Sequence, residues 1–154
     1  MSLRAQLTDA MKEAMKSKDA KRLATVRLIL AALKDRDIAA RSETNKDLVS
    51  DDDILTLLAK MIKQREESAV AFDAGNRPEM ATGEREEIAV IRTFMPAQMD
   101  DAAMKDAVAK TIAEAGATSI KDMGKVMAVL KERYAGQMDF SKASAATKDA
   151  LSGK

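Results

Sequence analysis

Carboxylates are the side chains of this sequence best placed to do chemistry, because the chain contains neither histidine nor cysteine. Glu84 and Glu87 are three residues apart, so a helix would put both on one side, where they could act in acid–base catalysis. Carboxylates at this spacing are more often a solvated helix face or half of an ion pair. The missing residue types exclude thiolate nucleophiles and every triad that uses histidine. We therefore expect no catalytic residues in this chain.

The second acidic cluster is Asp51-Asp52-Asp53, which follows Ser50, a residue type that favours the start of a helix. Acids in the first turn of a helix interact favourably with its dipole, so we interpret this cluster as a helix N-terminus rather than a cation site. The sequence also lacks a glycine-rich phosphate-binding loop. We expect neither a metal nor a cofactor.

Arg65 is a charge in the middle of an apolar helix face. On a helical wheel it lies among the apolar residues of the third predicted helix, while Glu84 and Glu87 lie on or beside the apolar face of the fourth. A turn at residues 75–78 would fold the two helices antiparallel and bring the charges together. Because an unpaired buried charge is costly, we predict an ion pair between Arg65 and Glu84 or Glu87 that fixes helix register.

The sixth predicted helix separates apolar and basic residues. Its apolar stripe is Met123, Val126, Met127, Leu130 and Tyr134, and the opposite side carries Lys121, Gly124, Lys125, Ala128 and Lys131. Glycine inside a helix costs about 1 kcal/mol relative to alanine, so close approach of another backbone would be a natural compensation. Lysines around a groove of small residues also suit a sugar–phosphate chain. An ordinary exposed face, with Gly124 in the first turn, explains the pattern equally well.

Helical spacing of apolar residues throughout the 154 residues predicts an all-α fold. Pro96 disfavours a helical conformation at Met95, which divides the chain into a four-helix bundle, residues 1–95, and a small three-helix domain, residues 96–154. The predicted helices cover residues 2–17, 20–40, 50–74, 78–94 and 100–116, then a sixth that ends near 136 and a last one over 142–151. Residues 41–50 are polar and are expected to form an exposed loop.

Charge and hydropathy limit the partners. The net charge is +1, although the first 36 residues hold nine Lys/Arg and four Asp/Glu, a basic excess that either a polyanion partner or a solvated helix face explains. The start of the chain has no apolar signal segment, and no stretch approaches the length of a membrane-spanning helix. We expect a cytoplasmic protein without a membrane partner.

The segment Lys121-Asp122-Met123-Gly124-Lys125-Val126-Met127 resembles the C-terminal motif of the GatB/YqeY family. The remaining similarity covers essentially the whole chain and includes Arg22-Leu23, Arg27-Leu28, residues 60–65, Ser68, Phe72, Gly75, Arg77, residues 79–81, Glu84, Glu87-Ile88 and Met95-Pro96. A chain of 154 residues cannot contain the large catalytic portion of GatB, so the resemblance is to the small stand-alone YqeY-like members.

The resemblance implies a setting rather than an activity. In GatB, a subunit of a tRNA-dependent amidotransferase, the related tail contacts tRNA while other parts of the complex do the chemistry. This implies a carbon–nitrogen ligase setting with glutamine as amide donor. The RNA-binding candidates are Lys121, Gly124, Lys125 and Lys131. After the sixth helix this chain departs from the family, because Met138 and Phe140 replace a small residue and a glycine, which would either block RNA or provide a stacking or packing residue.

Three functions are therefore compared. The first is an accessory module that binds tRNA or a tRNA-handling enzyme, which predicts salt-sensitive RNA binding. The second is a protein-interaction adaptor with a methionine-rich helical surface, which predicts a protein partner and no RNA affinity. The third, an independent amidotransferase, ranks last because no glutamine-hydrolysing nucleophile is evident.

Overall fold

The structure is a computed structural model that describes residues 2–42 and 48–153, and all regular structure in this part of the chain is helical. This confirms the all-α prediction. The helices are α1 (Leu3–Ser17), α2 (Ala20–Ala40), α3 (Asp51–Ala74), α4 (Pro78–Arg92), α5 (Asp101–Ala115), α6 (Met123–Arg133) and α7 (Phe140–Leu151), with a 3-10 turn over Ile120–Asp122. Residues 43–47 of the expected loop lie outside the described residues.

The chain forms two compact units, Met1–Met95 and Pro96–Lys154. In the first unit, the apolar faces of α1 to α4 meet in one core, whose fully buried members are Leu7, Ile29, Ile54, Leu58 and Ile91. In the second unit, α5, α6 and α7 surround a smaller core that contains Val108, Val126, Leu130, Met138 and Ala143. Leucine, isoleucine, valine, methionine and alanine thus do the packing in both units.

Two predicted helix boundaries are wrong, the end of α6 and the start of α7. The sixth helix ends at Arg133 rather than near Gly136, and Gly136 has a φ of 74°, which terminates any regular helix. The last helix begins at Phe140, two residues before the predicted start. The reason is that the Asp139 side chain accepts hydrogen bonds from the N–H groups of Ser141 and Lys142 and so caps the helix itself.

The turn between α3 and α4 has the expected position, and its left-handed residue is Asn76. Gly75 has an ordinary φ of −84°, while Asn76 has a φ of 58°. Asparagine tolerates this region better than other residues with a side chain. Pro78 then occupies the first turn of α4, where its fixed φ suits a helix and its missing N–H costs no hydrogen bond.

An ion pair joins both ends of the loop between α2 and α3 to the start of α1. Arg4 donates two hydrogen bonds to the Asp37 carboxylate, at 2.8 and 3.0 Å, and a third to the carbonyl of Val49. The same carboxylate accepts the Val49 N–H at 3.0 Å, and Asp51 accepts the Leu3 N–H. The Asp37 side chain is only 11% exposed, so these bonds replace water that it has lost.

None of the helices in the described part of the chain has the length and apolar character needed to cross a bilayer.

Replacing Asp37 with asparagine tests this ion pair. The hydrogen bonds from Arg4, followed by the Val49 N–H, hold the pKa of Asp37 below its usual value. The stabilisation is therefore fully present above the carboxyl pKa of the unfolded chain, about 3.9, and is lost as pH falls through the lower folded-state pKa. We expect Asp37→Asn to lower the free energy of unfolding by about 2 kcal/mol at neutral pH, and the deficit to shrink in acid.

Urea unfolding followed by circular dichroism at a series of pH values would measure this difference. Asp35→Asn is the matched control, since Asp35 lies on the same helix but is exposed and has no hydrogen-bond or ion-pair partner among the described residues. A deficit for Asp37→Asn that stays constant down to about pH 2 would contradict the role assigned to the ionised carboxylate.

Candidate nucleic-acid interface

The residues of the motif at 121–127 are divided between a buried side and an exposed side of α6. Val126 has no exposed surface and belongs to the core of the second unit, and Met123 and Met127 are half-buried. The RNA-binding candidates Lys121, Gly124, Lys125 and Lys131 are all exposed. The apolar members of the motif therefore anchor α6, and its basic and small members face solvent.

Asp122 holds the entrance to α6 in place. Its carboxylate accepts the N–H groups of Thr118 at 3.0 Å and Ser119 at 3.4 Å. These two backbone hydrogen bonds, in that order, lower the pKa of Asp122, so the carboxylate is ionised at neutral pH. Asp122 thus has a structural role in the motif, because its hydrogen bonds fix the backbone conformation next to Lys121.

The lysines of the motif are not equivalent. The Lys125 ammonium donates to the Ala115 carbonyl oxygen at 3.2 Å, at the C-terminal end of α5, where a helix dipole favours a cation. Lys121 and Lys131 have no hydrogen-bond or ion-pair partner among the described residues. Arg133, a nearby cation, is paired with Glu114 of α5. Lys121 and Lys131 are the motif-region cations whose charge is available to a ligand without loss of an existing contact.

Gly124 has no close neighbour, contrary to the expectation that another backbone approaches it. It is the second residue of α6, and a Cβ atom built there would meet nothing within 4 Å. The expected compensation by helix packing is therefore wrong for the isolated chain. What remains is a position in the first turn of α6 with open space above it, which either a solvated surface or an approaching ligand backbone can fill.

Met138 and Phe140, the two departures from the family pattern, have different environments. Met138 is 6% exposed and fills the core of the second unit. Phe140 is half-buried and lines a groove between α6 and α7, with a volume of about 520 Å³, together with Met127, Lys131, Ser141 and Ser144. Sequence reasoning missed the two serines. Ser141 lay before the predicted start of α7 at Lys142, and with the helix starting at Phe140, Ser144 follows four residues later on the same face as the ring.

The first unit brings together Arg65 and Glu87. Arg65 Nε lies 2.7 Å from Glu87 Oε2, and a guanidinium nitrogen of Arg65 also donates to the Met61 carbonyl oxygen at 3.1 Å. The Arg65 side chain is 15% exposed and that of Glu87 is 37% exposed. Glu84 is half-buried and forms no hydrogen bond or ion pair with any described residue. The pair lies across the seam between α3 and α4, where it can set their register.

Within residues 2–42 and 48–153, no three side chains of the histidine, cysteine, aspartate and glutamate types are grouped closely enough to hold a metal ion. The Asp51-Asp52-Asp53 cluster instead forms the first turn of α3. Ser50 and Asp53 exchange side-chain to backbone hydrogen bonds there, as a capping box does.

The fold and the motif together define a small helical module, and comparison with known sequences identifies its family. The sequence pattern of the family described as Yqey-like protein matches residues 4–151, and the chain belongs to this family. This confirms the resemblance seen in the sequence.

Two curated relatives are proteins named "Altered inheritance of mitochondria protein 41, mitochondrial". The one from Candida glabrata is 34% identical over 85 residues, which are 55% of this chain and 45% of the relative. The one from Lachancea thermotolerans is 31% identical over 91 residues, 59% of this chain and 46% of the relative. The match thus spans less than half the length of either relative. Their names place those proteins in mitochondria, so a cytoplasmic location for this chain stays a prediction.

The Arg65–Glu87 pair predicts that two neighbouring glutamates differ in their contribution to stability. Glu87→Gln leaves the half-buried Arg65 without its carboxylate partner, and we expect the free energy of unfolding to fall by about 1 kcal/mol. Glu84→Gln is the matched control on the same helix and should change little. Equal effects of the two substitutions in urea unfolding would contradict a stabilising role of the pair.

The open space at Gly124 predicts a gain in stability on substitution. Gly124→Ala adds a methyl group that meets no neighbour and restricts the unfolded chain, so we expect the free energy of unfolding to rise by about 0.5–1 kcal/mol. Gly83→Ala in α4, where a Cβ atom also meets nothing within 4 Å, should behave in the same way. Thermal unfolding measures both, and a loss of stability for Gly124→Ala would show that its surroundings are tighter than described.

Proposed function

We propose that this chain is an accessory module that binds tRNA, or a tRNA-handling enzyme together with its tRNA, through the exposed side of α6. The observation that carries the proposal is the exposure of Lys121, Gly124 and Lys125 on a helix whose opposite side is buried. Solvated ammonium groups next to a position without a side chain suit a phosphate backbone, which supplies most of the affinity in nucleic-acid binding.

Each of the two compact units has its own role in this proposal. The second unit, with its three helices α5 to α7, is proposed as the RNA-binding module. The first, the four-helix bundle of α1 to α4, is proposed as its carrier and as the surface for further contacts. The resemblance to the GatB tail supports a setting in which a carbon–nitrogen ligase uses glutamine as amide donor. In this setting the chain contributes binding, and another protein supplies the catalytic residues.

A protein-interaction adaptor is the second candidate, and one observation favours it. Between α2 and α3 lies a groove of about 510 Å³, lined by Leu28 of α2 and Met61 of α3 among other residues. The Leu28 side chain is 47% exposed, although it is apolar, and such exposure is a feature of protein-binding surfaces when it joins other apolar residues. An adaptor would bind its partner here with no affinity for RNA.

Fluorescence anisotropy of the purified chain with labelled total tRNA, over a series of salt concentrations, tests the first proposal. We expect log K to fall linearly with log salt, because binding releases counterions from the phosphates. Lys121→Ala combined with Lys125→Ala should weaken binding and reduce the slope by about 2, one for each lost phosphate contact.

Lys105→Ala combined with Lys110→Ala is the matched control, since both lysines are exposed and lie in the same unit, on α5. It makes the same change in net charge away from the motif. If both double variants lose affinity equally, the contact is not specific to α6. If the unaltered chain binds no tRNA at low salt, the RNA-binding proposal fails and the adaptor becomes the leading candidate.

A further inference from the structure

The groove between α6 and α7 combines an aromatic ring, a cation and hydroxyl groups. Its lining is formed by Met127 and Lys131, one turn apart on α6, and by Phe140, Ser141 and Ser144 in the first turns of α7. The groove is shallow and open to solvent, with a volume of about 520 Å³. Such a groove suits a flat group that lies on one wall and leaves its other side in water.

Phe140 contacts both the core of the second unit and the groove. It is the first residue of α7 and packs against the core of the second unit, yet it remains half-buried and lines the groove. Aromatic residues are scarce in this chain, which has three phenylalanines, one tyrosine and no tryptophan. Phe94, another of them, is already covered by the guanidinium of Arg22, 5.2 Å from the ring centre. Phe140 therefore provides an aromatic ring, packed on one side against the core, in a groove that Lys131 also lines.

The charges around the groove favour a base over a phosphate at the ring. The N–H groups of Ser141 and Lys142 at the start of α7 are already bonded to the Asp139 carboxylate, so the helix terminus offers no free anion site there. The carboxylate itself repels a second negative charge. Lys131 lies on the other wall, is exposed and has no partner among the described residues, so it can pair with a phosphate outside the groove.

We propose that this groove binds an unpaired base of the RNA, stacked on Phe140, with the adjacent phosphate on Lys131 and the hydroxyls of Ser141 and Ser144 bonded to the base edge or ribose. This inference rests on the proposed RNA binding and specifies which part of the RNA is recognised. Proteins read single-stranded segments by stacking exposed bases on aromatic side chains, because the bases of a paired helix are inaccessible. The target is therefore a loop or end of the RNA.

The first test uses the absence of tryptophan from the chain. Phe140→Trp introduces one fluorophore into the groove, and a base stacked on it should quench its emission. The probes are total tRNA and a single-stranded oligouridylate, with an RNA duplex for comparison. We expect quenching by the first two that saturates at the concentrations where anisotropy saturates, and little quenching by the duplex. Phe72→Trp, on α3 in the other unit, is the matched control and should not respond.

The second test separates stacking from charge. Phe140→Leu keeps an apolar side chain against the core but removes the ring face, so we expect about fivefold to tenfold weaker binding of oligouridylate with an unchanged salt slope. Lys131→Ala should instead reduce the slope by about 0.7, the value for one phosphate contact on a single strand. Thermal unfolding confirms that each variant is folded.

The results of these tests separate the stacking site at Phe140 from RNA binding by the chain as a whole. If the unaltered chain binds tRNA in a salt-sensitive way, but Phe140→Leu binds equally well and Phe140→Trp is not quenched, the stacking site is refuted and RNA binding stands. If the unaltered chain binds neither tRNA nor oligouridylate at low salt, RNA binding itself is refuted and the stacking site falls with it.

Discussion

The N–H groups in the first turn of a helix need acceptors, and in this protein aspartate carboxylates supply many of them. The capping contacts join Asp19 to Arg22, Asp100 to Ala103, Asp139 to Ser141 and Asp51 to Leu3. These bonds decide where the helices begin and therefore which side chains face the core.

Much of the architecture was predictable because helical geometry is simple. A period of 3.6 residues, few glycines and two prolines are enough to indicate an all-α chain. The same geometry placed Arg65 opposite Glu84 and Glu87, and the choice of Glu87 depends on side-chain rotamers that periodicity does not contain. Residues 120–122 form a tighter 3-10 turn, which a pattern based on 3.6 residues per turn cannot distinguish from the first turn of α6.

The candidate interface was predictable only in part. Exposure of the lysines follows from their position opposite the apolar stripe, but the surroundings of each lysine depend on neighbouring helices that are remote in sequence. Lys125 contacts a residue of α5 ten positions earlier in the chain. The groove at Phe140 was not predicted, because the predicted start of α7 was two residues too late. The residue assigned as the N-cap sets where a helix begins. It therefore decides which side chains are placed on the same helix face and which chemistry that face can have.

The hydrogen bond from Lys125 to the Ala115 carbonyl oxygen means that any ligand of this lysine shares it with the end of α5. The ammonium has three N–H donors, and a phosphate that draws it away from α5 would leave the Ala115 carbonyl oxygen to bond with water instead. Under the proposed RNA binding, such a displacement would offset part of the free energy gained at the phosphate, whereas Lys121 has no contact of this kind to lose among the described residues. Binding on one helix would in this way be thermodynamically linked to fraying at the end of its neighbour.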